Sequence, residues 1–324
     1  MAVSKELLKL LACPRDKLPL METSGFLYCS SGHKYPVVDG IPVLLIEELP
    51  QTHIAGERAL AIAHGHKAAP PQFDLKENET DPFVSEVIAA TNGILYQHLV
   101  GRLKAYPIPH LNLPAGHGKF FLEIGCNWGR WCIAAARLGY TVYGVDPSLL
   151  AVQAAQRVAK QLGITAHYAV ADGRALPFSN FTFDEVFSYS VLQHLSKENA
   201  GLVLSEVRAA LKKGGHSLIQ MPNGFGIRCL YHQIRRGFRQ TRDFEVRYWT
   251  PWELRSVFEQ RIGPSRFFVD GYFSLNPQIS DLRFLPRRYR FIVRLSDALS
   301  KASTMVRPLQ YVADSVYLSA NRAS

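Results

Sequence analysis

The sequence has few of the features that mark secreted, disulfide-bonded or membrane-spanning proteins. Its five cysteines are an odd number scattered along the chain, which argues against a disulfide scaffold and favours a reducing compartment. No apolar run approaches the roughly 20 residues that cross a bilayer. The N-terminal stretch is short, amphipathic and followed by charges, so a secretory signal is not expected. The sequence therefore predicts a cytoplasmic protein without a transmembrane segment.

Acidic residues are outnumbered, and the formal net charge of the 324-residue chain is +10. Residues 228–308 contain fifteen Arg and one Lys against seven Asp or Glu, so nearly all of the excess lies in this C-terminal region. One interpretation is a solvated, Arg-rich surface. The other is attraction to an anionic partner, namely phosphate on a substrate, a membrane surface or RNA. A peripheral position at the membrane is therefore one prediction that the charge leaves open.

The most informative stretch is 119–146, KFFLEIGCNWGRWCIAAARLGYTVYGVD. An apolar run, a turn with glycines, an Ala-rich helical segment and a β-rich run follow one another, as in a nucleotide-binding α/β unit. Gly125 and Gly129 allow the backbone to approach a ligand closely. Asp146 ends the second strand, where a carboxylate can accept hydrogen bonds from both hydroxyls of a ribose. The stretch thus predicts a ligand that carries a ribose.

The glycine spacing argues against a dinucleotide. The dinucleotide pattern G-x-G-x-x-G needs glycine at three positions, and here they are Gly125, Asn127 and Arg130. The remaining pattern, E-x-G-x-x-x-G from Glu123, resembles motif I of class I S-adenosylmethionine (SAM)-dependent methyltransferases, with Asn127 in place of the usual central glycine. This resemblance implies SAM as the cofactor and Asp146 as its ribose-binding carboxylate.

A second stretch carries the same resemblance. Asp172 and Gly173 follow the third predicted strand, where a carboxylate can accept a hydrogen bond from the exocyclic amine of adenine. The run ALPFSNFTFDEVFSYSVLQHL at 175–195 resembles the type-11, ubiquinone-biosynthesis-like group of the family. The resemblance implies a set of cofactor contacts: Glu123, Gly125, Cys126, Gly129, Asp146, Asp172, Gly173 and Leu176.

Strands and helices alternate from residue 119 onwards, which predicts an α/β fold with a parallel, doubly wound sheet. The resemblance implies a Rossmann-like seven-stranded methyltransferase sheet that ends in a strand pair near 267–273 and 314–320. A basic, largely helical insertion at about 275–311 would separate this pair. The methyltransferase domain is accordingly predicted at 119–324, with strands at 119–125, 141–146, 165–171, 183–190 and 215–221 and helices at 128–138, 148–162 and 197–211.

Residues 49–118 are predicted to form a linker and a helical lead-in. The segment is rich in histidine, proline and polar residues as far as about residue 82. Apolar residues then recur at helical spacing from 83 to 103. His53, His64 and His66 have no convincing ligand partner in the sequence and are interpreted as surface residues.

Residues 1–48 are predicted to form a separate small α+β unit. The run YPVVDGIP at 35–42 resembles the zinc-ribbon-like domain of the small activator subunit of tRNA and protein methyltransferases. In zinc-carrying members two CxxC-like pairs bind the metal through four soft ligands. The corresponding residues here would make a zinc site of mixed ligands, although a metal-free unit held by its apolar hairpin is the favoured interpretation. The candidate ligands are Cys13, Asp16, Cys29 and His33.

Methyl transfer from a sulfonium mainly requires a nucleophile held in line with the methyl group. A base is needed only when the acceptor must lose a proton. His194, which follows the fourth predicted strand, is the best-placed candidate for this catalytic role, and a hydrogen-bonded structural histidine is the alternative. The sequence lacks both an Asn-Pro-Pro-Tyr run and a Pro-Cys pair at the fourth strand, so it carries no signature of nucleobase methylation.

These features predict a SAM-dependent methyltransferase that acts on an O or N acceptor of a small molecule, glycan or lipid-linked precursor. An rRNA or tRNA methyltransferase is the alternative, because the basic charge and the zinc-ribbon-like unit also fit RNA. A non-catalytic methyltransferase-fold scaffold is a third interpretation. The presence of both Asp146 and Asp172 argues against the scaffold.

Overall fold

The first part of the chain forms a small antiparallel sheet. The computed structural model describes residues 1–71, 73–239, 241 and 244–323. A short helix, α1 (Lys5–Leu8), precedes four strands that lie in chain order across their sheet. The predicted small N-terminal α+β unit is therefore confirmed. Its strands are β1 (Met21–Thr23), β2 (Phe26–Tyr28), β3 (Lys34–Val38) and β4 (Ile41–Pro42).

The second sheet has seven strands, which are β5 (Phe120–Ile124), β6 (Thr141–Asp146), β7 (Ala166–Val170), β8 (Phe183–Ser188), β9 (Leu211–Pro222), β10 (Ser265–Gly271) and β11 (Ser315–Asn321). Their order across the sheet is β10-β11-β9-β8-β5-β6-β7. The five strands β5 to β9 pair in parallel. The last strand, β11, runs antiparallel between β9 and β10. This order confirms the predicted doubly wound, Rossmann-like seven-stranded sheet.

Three helices connect the parallel strands: α4 (Arg130–Arg137), α5 (Leu149–Gln161) and α6 (Lys197–Ala210). Helix α4 begins two residues later than the sequence predicts. Gly129 adopts a left-handed conformation, with φ of 78°, which an α-helical residue does not have. The turn before α4 is therefore longer than the hydrophobic pattern suggests.

The segment between the sheets folds into α2 (Ile54–Ala63), α3 (Pro82–Asn92) and a 3₁₀ turn at Ile94–Leu99. The apolar spacing from 83 to 103 predicts continuous helix, but Gly93 ends α3 with φ of 100°. Glycine reaches such a conformation without steric cost. The break turns the following residues towards the C-terminal part of the domain.

Helices α7 (Ile227–Arg235) and α8 (Pro251–Arg261) follow β9, and α9 (Arg287–Ala302) and α10 (Pro308–Val312) lie between β10 and β11. The segment between β10 and β11 is held against the 3₁₀ turn by a small apolar core of Leu95, Leu275, Leu285 and Val293. Within the described ranges, no helix combines the length and apolar character needed to cross a membrane.

The N-terminal unit continues the edge of the large sheet. Val43 forms a parallel bridge with Val170 of β7, and the Leu44 N–H donates to the Val170 carbonyl at 2.7 Å. Leu11 pairs with Phe178 in an antiparallel bridge. Both sheets contribute to one continuous hydrophobic core. Backbone hydrogen bonds between the two sheets leave no pattern in the side chains, so the sequence does not reveal this contact.

Candidate active site

A cavity of about 1130 Å³ opens at the carboxyl ends of the parallel strands, where ligands bind in open α/β sheets. Helices α2 and α3 form one wall, and the segment 189–195 after β8 forms another. Most of the predicted cofactor and catalytic residues line this cavity, and only Gly129 and Leu176 do not. Those that line it are Glu123, Gly125, Cys126, Asp146, Asp172, Gly173 and His194.

The turn after β5 is shaped by alternate left-handed residues. Gly125 has φ of 75° and Asn127 has φ of 45°. Asparagine tolerates this conformation better than most residues, so Asn127 preserves the turn although the usual motif has glycine there. The Asn127 N–H donates to Asp146 Oδ2 at 2.9 Å. The departure from motif I therefore leaves the turn and the Asp146 carboxylate connected.

Gly125 is also a point of close approach between two chain segments. A Cβ atom added at this position would lie 2.3 Å from Val191 Cγ2, well inside van der Waals contact. Val191 directly precedes the 3₁₀ turn Leu192–His194. The absent side chain thus lets the segment that carries His194 pack against the turn that carries the cofactor motif.

We expect Gly125→Ala to lower the free energy of unfolding by at least about 2 kcal/mol, because left-handed strain alone costs roughly 1–2 kcal/mol and the overlap with Val191 adds to it. Affinity for S-adenosylhomocysteine should fall at least about tenfold. Denaturant titration and calorimetry measure the two effects. Gly163→Ala is the matched control, since Gly163 has φ of 65° with open space around it. Equal losses in both variants would contradict the close-approach explanation.

Asp146 lines the cavity, and its carboxylate accepts hydrogen bonds from two backbone N–H groups. Its Oδ2 accepts from the Asn127 N–H and its Oδ1 accepts from the Ser148 N–H, both at 2.9 Å. The residue is 8% exposed, and burial raises the pKa of its carboxyl to about 6. The carboxylate form therefore predominates at neutral pH. Because each carboxylate oxygen can accept a second hydrogen bond, both retain capacity for ribose hydroxyls.

Glu123 connects the sheet to the helix behind the motif. Its Oε2 accepts from the Cys132 N–H of α4 at 2.8 Å. Burial raises the pKa of Glu123 to about 8, so its protonated form predominates at pH 7 and can donate a hydrogen bond into the cavity. Cys126 is buried beside it, and burial raises the pKa of the Cys126 thiol to about 11. The Cys126 thiol is consequently neutral at pH 7 and lines the cavity.

Asp172 has an arginine partner that the sequence did not suggest. Arg174 Nη2 donates to Asp172 Oδ2 at 2.7 Å, and Arg174 Nε lies 3.1 Å from both carboxylate oxygens. The same guanidinium donates to the Pro50 carbonyl. Any contact between Asp172 and an adenine amine would share the carboxylate with Arg174. Gly173 beside it lies tightly packed, since an added Cβ would be 3.0 Å from Ile124 Cγ2.

Gly129 and Leu176 serve the packing around the cavity. A Cβ on Gly129 would lie 2.6 Å from Tyr168 Oη. Leu176 is 1% exposed, and its backbone N–H donates to Glu206 Oε2 while its carbonyl accepts from Lys17 Nζ. Lys17 belongs to the N-terminal unit. Leu176 thus lies where the two sheets meet, outside the cavity lining.

His194 lies in the cavity wall with a defined tautomer. Its Nδ1 is 2.8 Å from the Phe244 carbonyl oxygen, and a carbonyl only accepts, so Nδ1 carries the proton. Nε2 is then an acceptor and lies 3.2 Å from the Gln193 amide nitrogen. The imidazole stacks on the Phe244 ring with centroids 3.9 Å apart. Burial lowers the pKa of His194, which favours a neutral imidazole with an unprotonated Nε2.

Three cavity residues escaped the sequence analysis. His53 was interpreted as a surface residue, but it lines the cavity and its ring meets Phe244 edge-on with centroids 4.6 Å apart. Arg130 and Asn276 also line the cavity, and Asn276 comes from the segment between β10 and β11. The sequence does not indicate that they line the cavity, because His53 and Asn276 belong to segments that carry no motif.

The four candidate metal ligands converge in the N-terminal unit, with their donor atoms within 4.8 Å of one another. His33 Nδ1 lies 3.4 Å from Cys13 Sγ, 3.3 Å from Cys29 Sγ and 3.2 Å from Asp16 Oδ2. Tetrahedral zinc with ordinary bond lengths spaces its ligand atoms roughly 3.3–3.8 Å apart. The donor set therefore fits a zinc ion in its chemistry, and the three His33 distances lie close to this range.

Comparison with known proteins agrees with this geometry. Residues 121–215 match the family described as a methyltransferase domain. The chain is 31% identical over 149 residues to the ubiquinone biosynthesis O-methyltransferase of Brucella ovis, a match that spans 44% of this chain and 59% of the relative. The protein of the same name from Brucella anthropi is 34% identical over 98 residues, or 30% of this chain and 39% of the relative.

A stretch of 47 residues is 51% identical to a UPF0434 protein of Vesicomyosocius okutanii and covers 14% of this chain and 80% of that protein. Among solved structures, phosphoethanolamine N-methyltransferase 2 of Haemonchus contortus in complex with SAM is similar with a TM-score of 0.44 and 17% identity, covering 65% of this chain and 50% of the other. A Haloferax volcanii complex of the Trm112 methyltransferase activator with a putative methyltransferase gives a TM-score of 0.47 and 15% identity, covering 74% and 94%.

The fold, the motif I turn and the matched residues together define a SAM-dependent methyltransferase domain. The chain belongs to the UPF0434 proteins through the 47-residue stretch, and its match to the methyltransferase domain family covers residues 121–215. It spans 59% of the length of the Brucella ovis relative.

Proposed function

We propose that the protein transfers the methyl group of SAM to an O or N acceptor on a small molecule, glycan or lipid-linked precursor. The observation that carries the proposal is the continuity of one cavity from the Gly125 turn and Asp146 to apolar side chains of α2 and α3. A concave, largely apolar site of this kind suits a small acceptor group. The relatives named as ubiquinone biosynthesis O-methyltransferases favour an oxygen acceptor.

The protein's contribution to this reaction is to bind and orient. SAM supplies a methyl group already activated on a sulfonium. Gly125 and Asn127 shape the turn for the cofactor, and Asp146 accepts from its ribose. His194 presents an unprotonated Nε2 in the wall formed by residues 189–195. An acceptor hydroxyl held near Nε2 could transfer its proton there as the methyl group arrives.

The substrate class is tested by supplying methyl-labelled SAM to the protein with fractionated cell extract. We expect label in small molecules, glycans or lipids, and none with the Asp146→Ala protein as the control. Label that enters RNA instead would show that the protein is an rRNA or tRNA methyltransferase. An absence of label in every fraction, from protein that binds SAM, would favour the non-catalytic scaffold.

A surface on α7 supports a lipid-linked acceptor. Five large apolar residues lie on one face of this helix and its C-terminal turn, at the spacing of an amphipathic helix. This face points outwards, and basic residues, among them the exposed Arg228 and Arg235, flank it. An outward apolar stripe edged with arginine is typical of helices that lie in an anionic membrane interface. The α7 surface consists of Ile227 (54% exposed), Leu230 (37%), Tyr231 (55%), Ile234 (58%) and Phe238 (65%).

We expect the protein to sediment with vesicles that contain phosphatidylglycerol and much less with pure phosphatidylcholine vesicles. The double variant Ile234→Glu with Phe238→Glu should reduce the bound fraction at least about tenfold, since burying each side chain contributes roughly 1.5–3 kcal/mol. Neutralising Arg287, Arg288 and Arg290 should weaken binding in a salt-dependent way.

Met21→Glu is the matched control for the vesicle experiment, because Met21 is 66% exposed on the N-terminal unit. Unchanged sedimentation of the α7 double variant would refute the membrane assignment. Loss of RNA binding in the arginine variant, without any vesicle binding by the wild type, would assign the basic surface to RNA.

We also propose a structural zinc ion at Cys13, Asp16, Cys29 and His33. The Tyr35 hydroxyl lies 3.2 Å from Cys13 Sγ and would orient this ligand, as outer groups commonly do. Elemental analysis should give about one zinc per chain, and Cys29→Ser should lose the metal and unfold at a lower temperature. Cys229→Ser, a buried cysteine near Asp314, is the control. Zinc well below one equivalent in the wild type would establish the metal-free unit.

A further inference from the structure

Arg130 is a buried cation with two guanidinium nitrogens that lack a hydrogen-bond partner in the part of the chain that the structure describes. It is the first residue of α4 and is 6% exposed. Its Nε and Nη2 atoms are shielded from solvent and have no hydrogen-bond partner among the described residues. The side chain lines the cavity, and its guanidinium lies 5.3 Å from the ring centroid of Trp131. An arginine in this state is rare, because burying an unpaired charge is costly.

The acidic groups near Arg130 are committed elsewhere or fall short of an ion pair. Asp270 Oδ2 accepts from the Tyr189 hydroxyl at 2.9 Å and from Ser315 Oγ at 2.6 Å. Glu123 accepts from the backbone of α4. Asp281 is buried and its Oδ2 accepts from the Gln278 N–H, whereas its Oδ1 has no hydrogen bond of good geometry among the described residues and its carboxyl interacts with Tyr96. Over the described part of the chain, none of these carboxylates lies within 4.0 Å of the Arg130 guanidinium.

Further donors surround the same position. Arg130 opens α4, whose N-terminal end carries partial positive charge. The Asn92 amide nitrogen and the Tyr96 hydroxyl, from the lead-in that packs beside it, are also buried and lack hydrogen bonds of good geometry among the described residues. The Tyr96 hydroxyl interacts with the Asn92 and Asp281 side chains. A protein keeps such a site when a ligand completes it, since function is often retained at a cost in stability.

We propose that Arg130 is the anion receptor of the cavity, and that it binds a carboxylate or phosphate group of the ligand. The group would be either the methionine carboxylate of SAM or an anionic group on the acceptor. The planar guanidinium presents paired donors that match both anions. This inference rests on the proposed function, because it assumes that SAM and the acceptor occupy this cavity.

The test compares Arg130→Met with the wild type in binding S-adenosylhomocysteine and 5′-methylthioadenosine, which lacks the amino-acid part. If Arg130 holds the methionine carboxylate, the variant should lose at least about tenfold in affinity for S-adenosylhomocysteine and keep its affinity for 5′-methylthioadenosine. If it holds the acceptor, both affinities should persist, and inorganic phosphate should stabilise the wild-type complex but not the variant. Arg130→Lys should have an intermediate effect.

Melting of the ligand-free proteins provides the second measurement. We expect Arg130→Met to melt at the same temperature as the wild type or higher, since it removes an unpaired charge from the interior. Arg137→Met, an exposed change at the other end of α4, is the control. Unchanged affinities together with an absent phosphate effect, or a lower melting temperature with unchanged ligand binding, would overturn the inference. A wild type that binds no S-adenosylhomocysteine would instead refute the proposed function.

Discussion

Replacing Asp146 by alanine is expected to lower the affinity for S-adenosylhomocysteine by about 100-fold. The carboxylate would accept two hydrogen bonds from ribose hydroxyls, and hydrogen bonds to charged groups contribute about 1.5–3 kcal/mol each. Because burial raises the pKa of Asp146 to about 6, the wild-type affinity should also weaken as the pH falls below 6. Calorimetric titration at pH 7.5 and at pH 5.5, which lie on either side of this pKa, measures both effects.

Asp74→Ala is the matched control, since Asp74 forms only an exposed ion pair with Lys160. It should bind S-adenosylhomocysteine as the wild type does. The Asp146→Ala protein also loses acceptors for the Asn127 and Ser148 N–H groups, so circular dichroism must show that it is folded. A folded Asp146→Ala protein with wild-type affinity would mean that the ribose lies elsewhere.

Replacing His194 by glutamine should reduce kcat at least about 100-fold if the acceptor loses its proton to this residue. The expectation follows from the hydrogen bond between Nδ1 and the Phe244 carbonyl, which leaves Nε2 unprotonated. Burial lowers the pKa of His194 below its ordinary value of 6.5. The base form therefore persists at neutral pH, and the rate should fall only below pH 6.5 as the imidazole becomes protonated.

The pH profile of kcat at saturating SAM distinguishes a base from a structural histidine, because replacing a purely structural residue would leave the fall in kcat at low pH in place. His194→Gln should remove the limb and retain the affinity for S-adenosylhomocysteine. His110→Gln, an exposed position outside the cavity lining, should change neither quantity. A His194→Gln protein with the wild-type kcat and acid limb would exclude proton transfer to this side chain.

The sheet was predictable from sequence because its pattern is local. Each parallel strand is a short apolar run next to a helical segment, and the predicted strand at 141–146 matches β6 (Thr141–Asp146) to the residue. The positions of Asp146 and Gly125 at the cavity follow from the same topology, since carboxyl ends of parallel strands meet at one edge. The resemblance of the N-terminal unit to a zinc-ribbon-like domain also identified the four residues that converge there.

The remaining features depend on contacts between distant segments. Arg174, the partner of Asp172, is only two residues away in the sequence. The hydrogen bond from Arg174 to the Pro50 carbonyl, however, depends on the fold. The bridge between Val43 and Val170 is a backbone contact, and His53 enters the cavity because α2 packs beside α5. The unpaired state of Arg130 is likewise invisible in the sequence, since it requires knowing that every nearby carboxylate is engaged or too distant.

Titration of S-adenosylhomocysteine into the wild-type protein tests most directly whether the cavity at the ends of β5 and β6 is a SAM site. We expect saturable binding with one ligand per chain and a dissociation constant in the micromolar range, abolished by excess SAM. A protein that is folded, monodisperse and without detectable heat of binding at millimolar ligand would contradict the account.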